Sequence, residues 1–247
     1  MLVLEGGKTV GTIGGGALEY AVAAEAVGVI TSNVTSIREH RLVRDHNMCC
    51  GGTVQVFVEP VPIPAQLFLF GAGHVNRALA QHAALLDFEI TVIDERAATL
   101  DTWPSALARI INASPRAAME RLAFDAQTYV MIATHSHPLD REVLRLCIDR
   151  HRAFLGMIGS ARKAAVTRAL FLDQQWATEQ SFDAVALPAG LAINALSPHE
   201  IAISILGHMV GVRAGGMHAP SAAPPITTAL DEEVDLACVG IPGRSIP

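Results

Sequence analysis

The chain has 247 residues and a formal net charge of −6, with hydrophobic residues at 51% and charged residues at 17%. That length allows one large domain or two modest ones with proper cores. The absence of a Lys/Arg-rich run, with only two Trp and two Tyr, argues against a basic, aromatic-studded nucleic-acid face. No uninterrupted apolar run reaches membrane-spanning length, and Met1–Lys8 lacks the basic region and apolar core of a secretory signal.

In chain order, Lys8–Ile13 predicts a strand running into Gly14-Gly15-Gly16, followed by a helix with Leu18, Val22 and Ala26 at i, i+4 spacing. Cys49-Cys50-Gly51-Gly52 precedes a strand in which Val54, Val56 and Val58 alternate with Gln55, Phe57 and Glu59, a pattern that buries one face. Residues 1–60 thus form a small α+β domain, closed by the stiff segment Pro60-Val61-Pro62-Ile63-Pro64. Beyond the prolines the pattern changes. Apolar strands are expected at Leu67–Phe70, Glu89–Ile93, Arg109–Ile111, Tyr129–Ala133 and Phe154–Ile158. Helices fit between most of them, notably Leu139–His151 and Ala161–Leu172. Such alternation means βαβ units, so residues 65–213 are expected to form an α/β, Rossmann-type doubly wound parallel sheet. The last helix has its start written locally, with Ser197 as N-cap, Pro198 at the first position and Glu200 closing a capping box. Residues 214–247 read as a Gly/Ala/Ser/Pro-rich linker and a short acidic tail. The four cysteines are scarce and badly placed for a disulfide scaffold, which suits a reducing, cytoplasmic setting.

Phe70-Gly71-Ala72-Gly73-His74-Val75-Asn76 lies between a strand and a helix. There Gly71 permits a tight turn, and Gly73 allows backbone to approach a phosphate at the helix N-terminus. Asp94, at the end of the next strand, is placed to accept hydrogen bonds from both ribose hydroxyls, which disfavours a 2′-phosphate. Asn76 stands where the dinucleotide pattern has its third glycine, and a plain βαβ turn without ligand is the competing reading. The Gly14–Gly16 turn exposes N–H groups that suit an anion, but it lacks the Lys-Ser/Thr pair of a P-loop. Cys49 and Cys50 suit soft-ligand or sulfur-transfer chemistry, against buried inert thiols as the bland alternative. Neither CxxC spacing nor a second cysteine pair supports zinc. Thr134-His135-Ser136-His137-Pro138-Leu139-Asp140 follows an apolar strand. His135 and His137 read as groups lining a ligand cleft, with metal ligation together with Asp140 as the alternative. The turn holding Gly159, Ser160, Arg162 and Lys163 could present N–H groups and positive charge to a phosphate on the same edge.

Six segments in this order resemble the xanthine dehydrogenase accessory protein family, XdhC/CoxI. They are Gly11-Thr12-Ile13-Gly14-Gly15-Gly16, Cys49-Cys50-Gly51-Gly52, Phe70-Gly71-Ala72-Gly73-His74-Val75, Thr134-His135-Ser136-His137, Ile158-Gly159-Ser160 with Arg162 and Lys163, and Pro188-Ala189-Gly190-Leu191. The resemblance implies a maturation chaperone rather than an enzyme. Such a protein binds molybdenum cofactor (molybdopterin), shields it while a cysteine desulfurase supplies its terminal sulfur, and delivers it to a xanthine dehydrogenase-type molybdoenzyme. A homodimer is part of the same expectation. Molybdopterin carries a phosphate that glycine turns can hold and a sulfur-rich metal end that cysteine suits. Cys50, directly before Gly51-Gly52, aligns with the family's cysteine. The family normally has a further segment ahead of the first glycine turn, so the small domain is expected to be shortened at its N-terminus. Asn76 replaces the family's usual glycine, and the tail after Gly216 matches nothing in the pattern. Three other readings stand beside this one. They are an NAD-dependent oxidoreductase using the Gly71 turn and Asp94, a metal-dependent hydrolase using His135, His137 and Asp140, and an interaction module that has lost ligand binding.

Overall fold

A computed structural model describes residues 1–46, 51–61 and 63–215 of the chain, which divides into two units, Met1–Ile63 and Pro64–Pro247. In the first unit, β1 (Leu2–Val3) and β2 (Thr9–Val10) pair antiparallel, with Leu2 opposite Val10. The strand expected over Lys8–Ile13 is shorter because Gly11, at φ +77°, turns the chain away. Helix α1 (Gly16–Ser32) buries Leu18, Val22, Ala26 and Val29, the expected stripe continued by one turn. It ends at Asn33, a left-handed residue whose N–H donates to the Val29 carbonyl. β3 (Ser36–Arg41) and β4 (Thr53–Val58) form an antiparallel pair, Ser36 opposite Val58 and Arg41 opposite Thr53, with the short α2 (Leu42–His46) after β3. β4 is less covered than its alternation suggests. Val56 and Val58 are half-buried, whereas Val54 and Phe57 are exposed.

The second unit is the doubly wound parallel sheet that the alternation predicts. Its strands are β5 (Ala65–Phe70), β6 (Phe88–Asp94), β7 (Arg109–Asn112), β8 (Thr128–Ile132) and β9 (Phe154–Met157). They stand in the order β7-β6-β5-β8-β9, all parallel. The connecting helices are α3 (His74–Ala83), α4 (Ala97–Leu100), α5 (Pro115–Met119), α6 (His137–Cys147) and α7 (Ala161–Asp173), followed by α8 (Glu179–Asp183) and α9 (Pro198–Arg213). Strand β5 shows why both faces are covered. Leu67 and Leu69 enter one core with residues of α3 and α9, while Phe68 and Phe70 enter the other with residues of α6 and α7. Ala186 bridges to Gly156 in parallel, so the segment after α8 continues the sheet beyond β9. The chain leaves β5 towards β6 and β7, then crosses back to β8 and β9. The winding therefore reverses between β5 and β8, and ligands of such sheets bind at the carboxyl ends of the strands beside that reversal.

Candidate functional site

The carboxyl ends of β5, β6, β8 and β9 bring most of the expected site residues to one edge of the sheet. Gly71 takes φ +100°, and a Cβ there would collide with the Ala133 carbonyl and with Thr134. Its glycine is required by the close passage of the chain after β8. Gly73 differs. Its φ of −75° and ψ of 179° are ordinary extended values, and a Cβ would meet nothing within 4 Å. The fold does not need a glycine at 73, whereas a phosphate approaching the backbone would. Gly73 is also the N-cap of α3 and offers no side chain to the first N–H groups of that helix. His74 is exposed beside it. Asn76 is fully buried, and its Nδ2 donates to the carbonyls of Phe70 at 3.0 Å and Gly71 at 2.7 Å. The amide fastens the turn to the helix where the usual third glycine would pack closely.

Asp94 closes β6 with its carboxylate buried and fully engaged. Oδ2 accepts the Ala72 N–H at 2.8 Å and Arg96 Nη2 at 2.7 Å. Oδ1 accepts the Arg96 N–H and Nε, both at 2.9 Å. Burial raises the cost of the charge, but the Arg96 side chain and the two N–H groups outweigh it and hold the carboxyl below its usual range. The group expected to receive ribose hydroxyls is therefore occupied by Arg96. That partner was not read from the sequence, although Asp-x-Arg at a strand end was its signal. Beside Asp94 lies a small open crevice walled by Phe70, Ile93, Ala113, Pro115 and Leu139, with Gly71, Glu95, Thr134 and His135 at its polar parts.

His135 and His137 are both exposed. Asp140 is the organising residue of their loop. Its buried Oδ1 accepts the Thr134 N–H at 2.9 Å and Oγ1 at 2.7 Å, and its Oδ2 accepts Lys163 Nζ at 2.8 Å. Lys163 also donates to the Ile158 carbonyl at 3.0 Å. His137 Nδ1 stands 3.7 Å from the oxygen that Lys163 already holds. A cation seated there would face an ammonium group. Among the described residues no three His, Cys, Asp or Glu side chains are grouped to hold a metal. Lys163 is thus a half-buried tie between the loop after β8 and the turn after β9, not the free positive charge the sequence suggests. Gly159 serves that tie, since a Cβ would come within 2.8 Å of Lys163 Cδ. Ser160 caps α7 by accepting the Lys163 N–H, and Arg162 is exposed on its first turn.

In the first unit, Gly14, Gly15 and Gly16 take φ values of +119°, +73° and +72°. The turn does hold an anion, but it is the chain's own, and of the three glycines only Gly15 donates to it, the Gly14 N–H going to the Thr12 hydroxyl at 3.0 Å. Glu19 Oε2 accepts the N–H groups of Ile13 at 3.1 Å and Gly15 at 3.0 Å, together with the Thr12 hydroxyl. The Thr12 hydroxyl and these N–H groups hold the Glu19 carboxyl below its usual range. Cys49 and Cys50 lie outside the described residues. Gly51 and Gly52, which follow them, have φ +67° and +95° with nothing within 4 Å of a Cβ. A cluster not foreseen is His40, buried on β3, whose Nδ1 is 3.0 Å from His46 Nε2 at the end of α2. Glu25 of α1 stands beside it, bonded to Ser36 and 3.5 Å from Arg38. No apolar pattern marked β3, and the contact joins residues on three separate elements.

Two family descriptions match the chain: the XdhC Rossmann domain over residues 67–209, and the XdhC and CoxI family over residues 1–41. The uncharacterized protein YqeB of Escherichia coli (strain K12) is 36% identical over 222 residues, covering 86% of this chain and 40% of that protein. A probable xanthine dehydrogenase subunit of Bacillus subtilis (strain 168) is 29% identical over 163 residues, covering 65% of this chain and 47% of that protein. The chain spans less than half the length of either relative. The crystal structure of a xanthine dehydrogenase from Bacillus halodurans superposes with a TM-score of 0.53 at 20% identity, covering 89% of this chain and 87% of that one, a likeness of fold. With the Rossmann match spanning more than half of its residues, the chain belongs to the XdhC/CoxI family of xanthine dehydrogenase accessory proteins.

Proposed function

We propose that this chain is an accessory protein that binds molybdenum cofactor, assists its sulfuration by a cysteine desulfurase, and helps insert it into a xanthine dehydrogenase-type enzyme. The observation that carries the reading is the presence of both family segments, residues 1–41 and 67–209, in one chain and in that order. The cofactor brings a phosphate at one end and a sulfur-ligated metal at the other. On the protein side, Gly51 and Gly52 are left-handed and open, so side chains at those positions would fill space that lies free beside the Cys-Gly-Gly motif. Thiolate is a soft ligand suited to the metal end, and Cys50 is the cysteine adjoining that open pair. The Gly14–Gly16 turn has the donors for a phosphate, on condition that Glu19 gives way.

The test is reconstitution. The chain is mixed with released molybdenum cofactor and then with a cofactor-free xanthine dehydrogenase. Cys50→Ser is expected to retain less cofactor and to activate the apoenzyme poorly, while Cys49→Ser behaves nearly as the unmodified chain. A double mutant that protects and delivers cofactor as well as the parent removes the role given to the thiols. Failure of the parent chain itself to retain cofactor removes the reading as a whole.

A further inference from the structure

We propose that His82 and His199 form a surface two-histidine site for a borderline divalent cation of the class of zinc, nickel or copper. The site shares no residue with the groups assigned to molybdenum cofactor, and it does not depend on that reading. His82 stands in the last turn of α3 and His199 in the first turn of α9. They lie 117 residues apart in the chain, yet His82 Nε2 is 3.3 Å from His199 Nδ1, with the two rings inclined at 81°. That separation decides between two roles. N–H···O bonds in proteins run from about 2.7 to 3.2 Å, so a direct hydrogen bond between the rings is stretched to the weak end. Two imidazole nitrogens on one tetrahedral ion, each about 2.0–2.1 Å from the metal, stand roughly 3.3–3.4 Å apart. The pair is already spaced as two ligands.

The backbone on either side is fixed. Ala83, next to His82, and Ala202, one turn beyond His199, are both wholly buried in the core that α3 and α9 share. Ligands carried on packed helices keep their separation better than ligands on loops. The local field also suits a cation. His82 lies at the carbonyl end of α3, where positive charge is favoured. The amide end of α9 opposes it at His199, but Glu200 is the next residue. Its Oε2 accepts the N–H groups of Leu196 at 2.9 Å and Ser197 at 2.8 Å, which hold its carboxyl below the usual range and keep it charged. Among the described residues no third His, Cys, Asp or Glu completes a metal-holding group. Water therefore takes the remaining positions, which half-buried His82 and exposed His199 leave open. Two imidazoles without a carboxylate ligand select zinc, nickel and copper over magnesium and calcium, which require oxygen donors.

The experiment is equilibrium dialysis of the full, chelator-treated chain against Cu2+, Ni2+, Zn2+ and Mg2+. The chain has ten His and four Cys, so the reading is the difference between the parent and its variants. His82→Ala and His199→Ala should each lose one equivalent of Ni2+, and the double variant should lose that same single equivalent. Cu2+ should bind the pair more tightly than Ni2+ or Zn2+, and Mg2+ should distinguish none of the proteins. Ni2+ should also raise the melting midpoint of the parent more than that of either variant, because an ion held by both helices binds only the folded chain. Circular dichroism establishes that each variant is folded. The proposal is overturned if parent and variants take up equal Ni2+, if only one of the two substitutions lowers uptake, or if the double variant loses two equivalents. The last result would mean two separate ions and no shared site.

Discussion

Glu19 illustrates how a single side chain can change what a motif means. Three consecutive left-handed glycines form a concave set of donors of the kind that binds anions, yet Glu19, three to five residues further on, supplies the anion from within. The sequence displayed both halves, the glycines and the acid, without indicating that one answers the other. The same holds for Asp94, legible as the acid at a strand end but not as the partner of Arg96, because only a fixed backbone decides between ribose and guanidinium. Cys147, at the end of the amphipathic α6, is fully buried, and burial pushes its thiol up to about 12, which makes it an inert packing residue. Glu19 gives a prediction. Replacing it with Gln removes the resident charge and leaves the glycine donors to an outside anion, so inorganic phosphate should raise the melting midpoint of Glu19→Gln more than that of the parent chain. The pH dependence has a definite sign. A carboxyl lowered from 4.5 in the folded chain contributes stability that is complete above the ordinary value and fades as pH falls through the lowered one. The two proteins should therefore differ most in their phosphate response above about pH 5 and converge below that range. Equal phosphate shifts at neutral pH would show that Glu19 does not guard the turn.

At the scale of elements, legibility tracks how local the cause is. α9 was readable because Ser197, Pro198 and Glu200 cap it within four residues, and the reciprocal bonds are present. β5 and its turn were readable because a buried parallel strand is a plain apolar run, and Gly71 follows from a steric demand at one point. β3 was not, since Ser36–Arg41 has little apolar content and is held by pairing with β4. The tie between Asp140 and Lys163 was likewise invisible, because it spans 23 residues and two crossover units. That tie fixes the loop bearing His135 against the turn bearing Gly159, so it positions the edge where the site residues gather. Removing one member of a buried pair leaves an uncompensated charge and typically costs about 3–5 kcal/mol. Lys163 keeps some solvent access, at 15%, and it retains the Ile158 carbonyl, so Asp140→Leu should fall at the low end, about 3 kcal/mol by urea denaturation. Adding Lys163→Met should recover part of that loss, because two apolar groups need no partners. If the double variant is less stable than Asp140→Leu alone, the charge left behind is not what destabilises the single one.

At the scale of the whole molecule, the two units differ sharply in how much core each possesses. Both large apolar clusters are built from residues between Ala65 and Val212, on the two faces of one sheet. In the unit Met1–Ile63, by contrast, the described buried apolar residues are Leu18, Val22, Ala26 and Val29. Chains of about 60 residues bury a smaller fraction of their surface than larger domains and are marginal for that reason. The described residues of both clusters, and the winding, caps and edge ties of the sheet, all lie within the second unit's own span. A chain cut to residues 64–215 should therefore unfold in a single cooperative transition, with a denaturant slope fitting a domain of its length. Residues 1–63 made alone should show a shallow, poorly cooperative transition. A 64–215 fragment that is soluble but melts without cooperativity would mean that the sheet depends on the small unit for its stability.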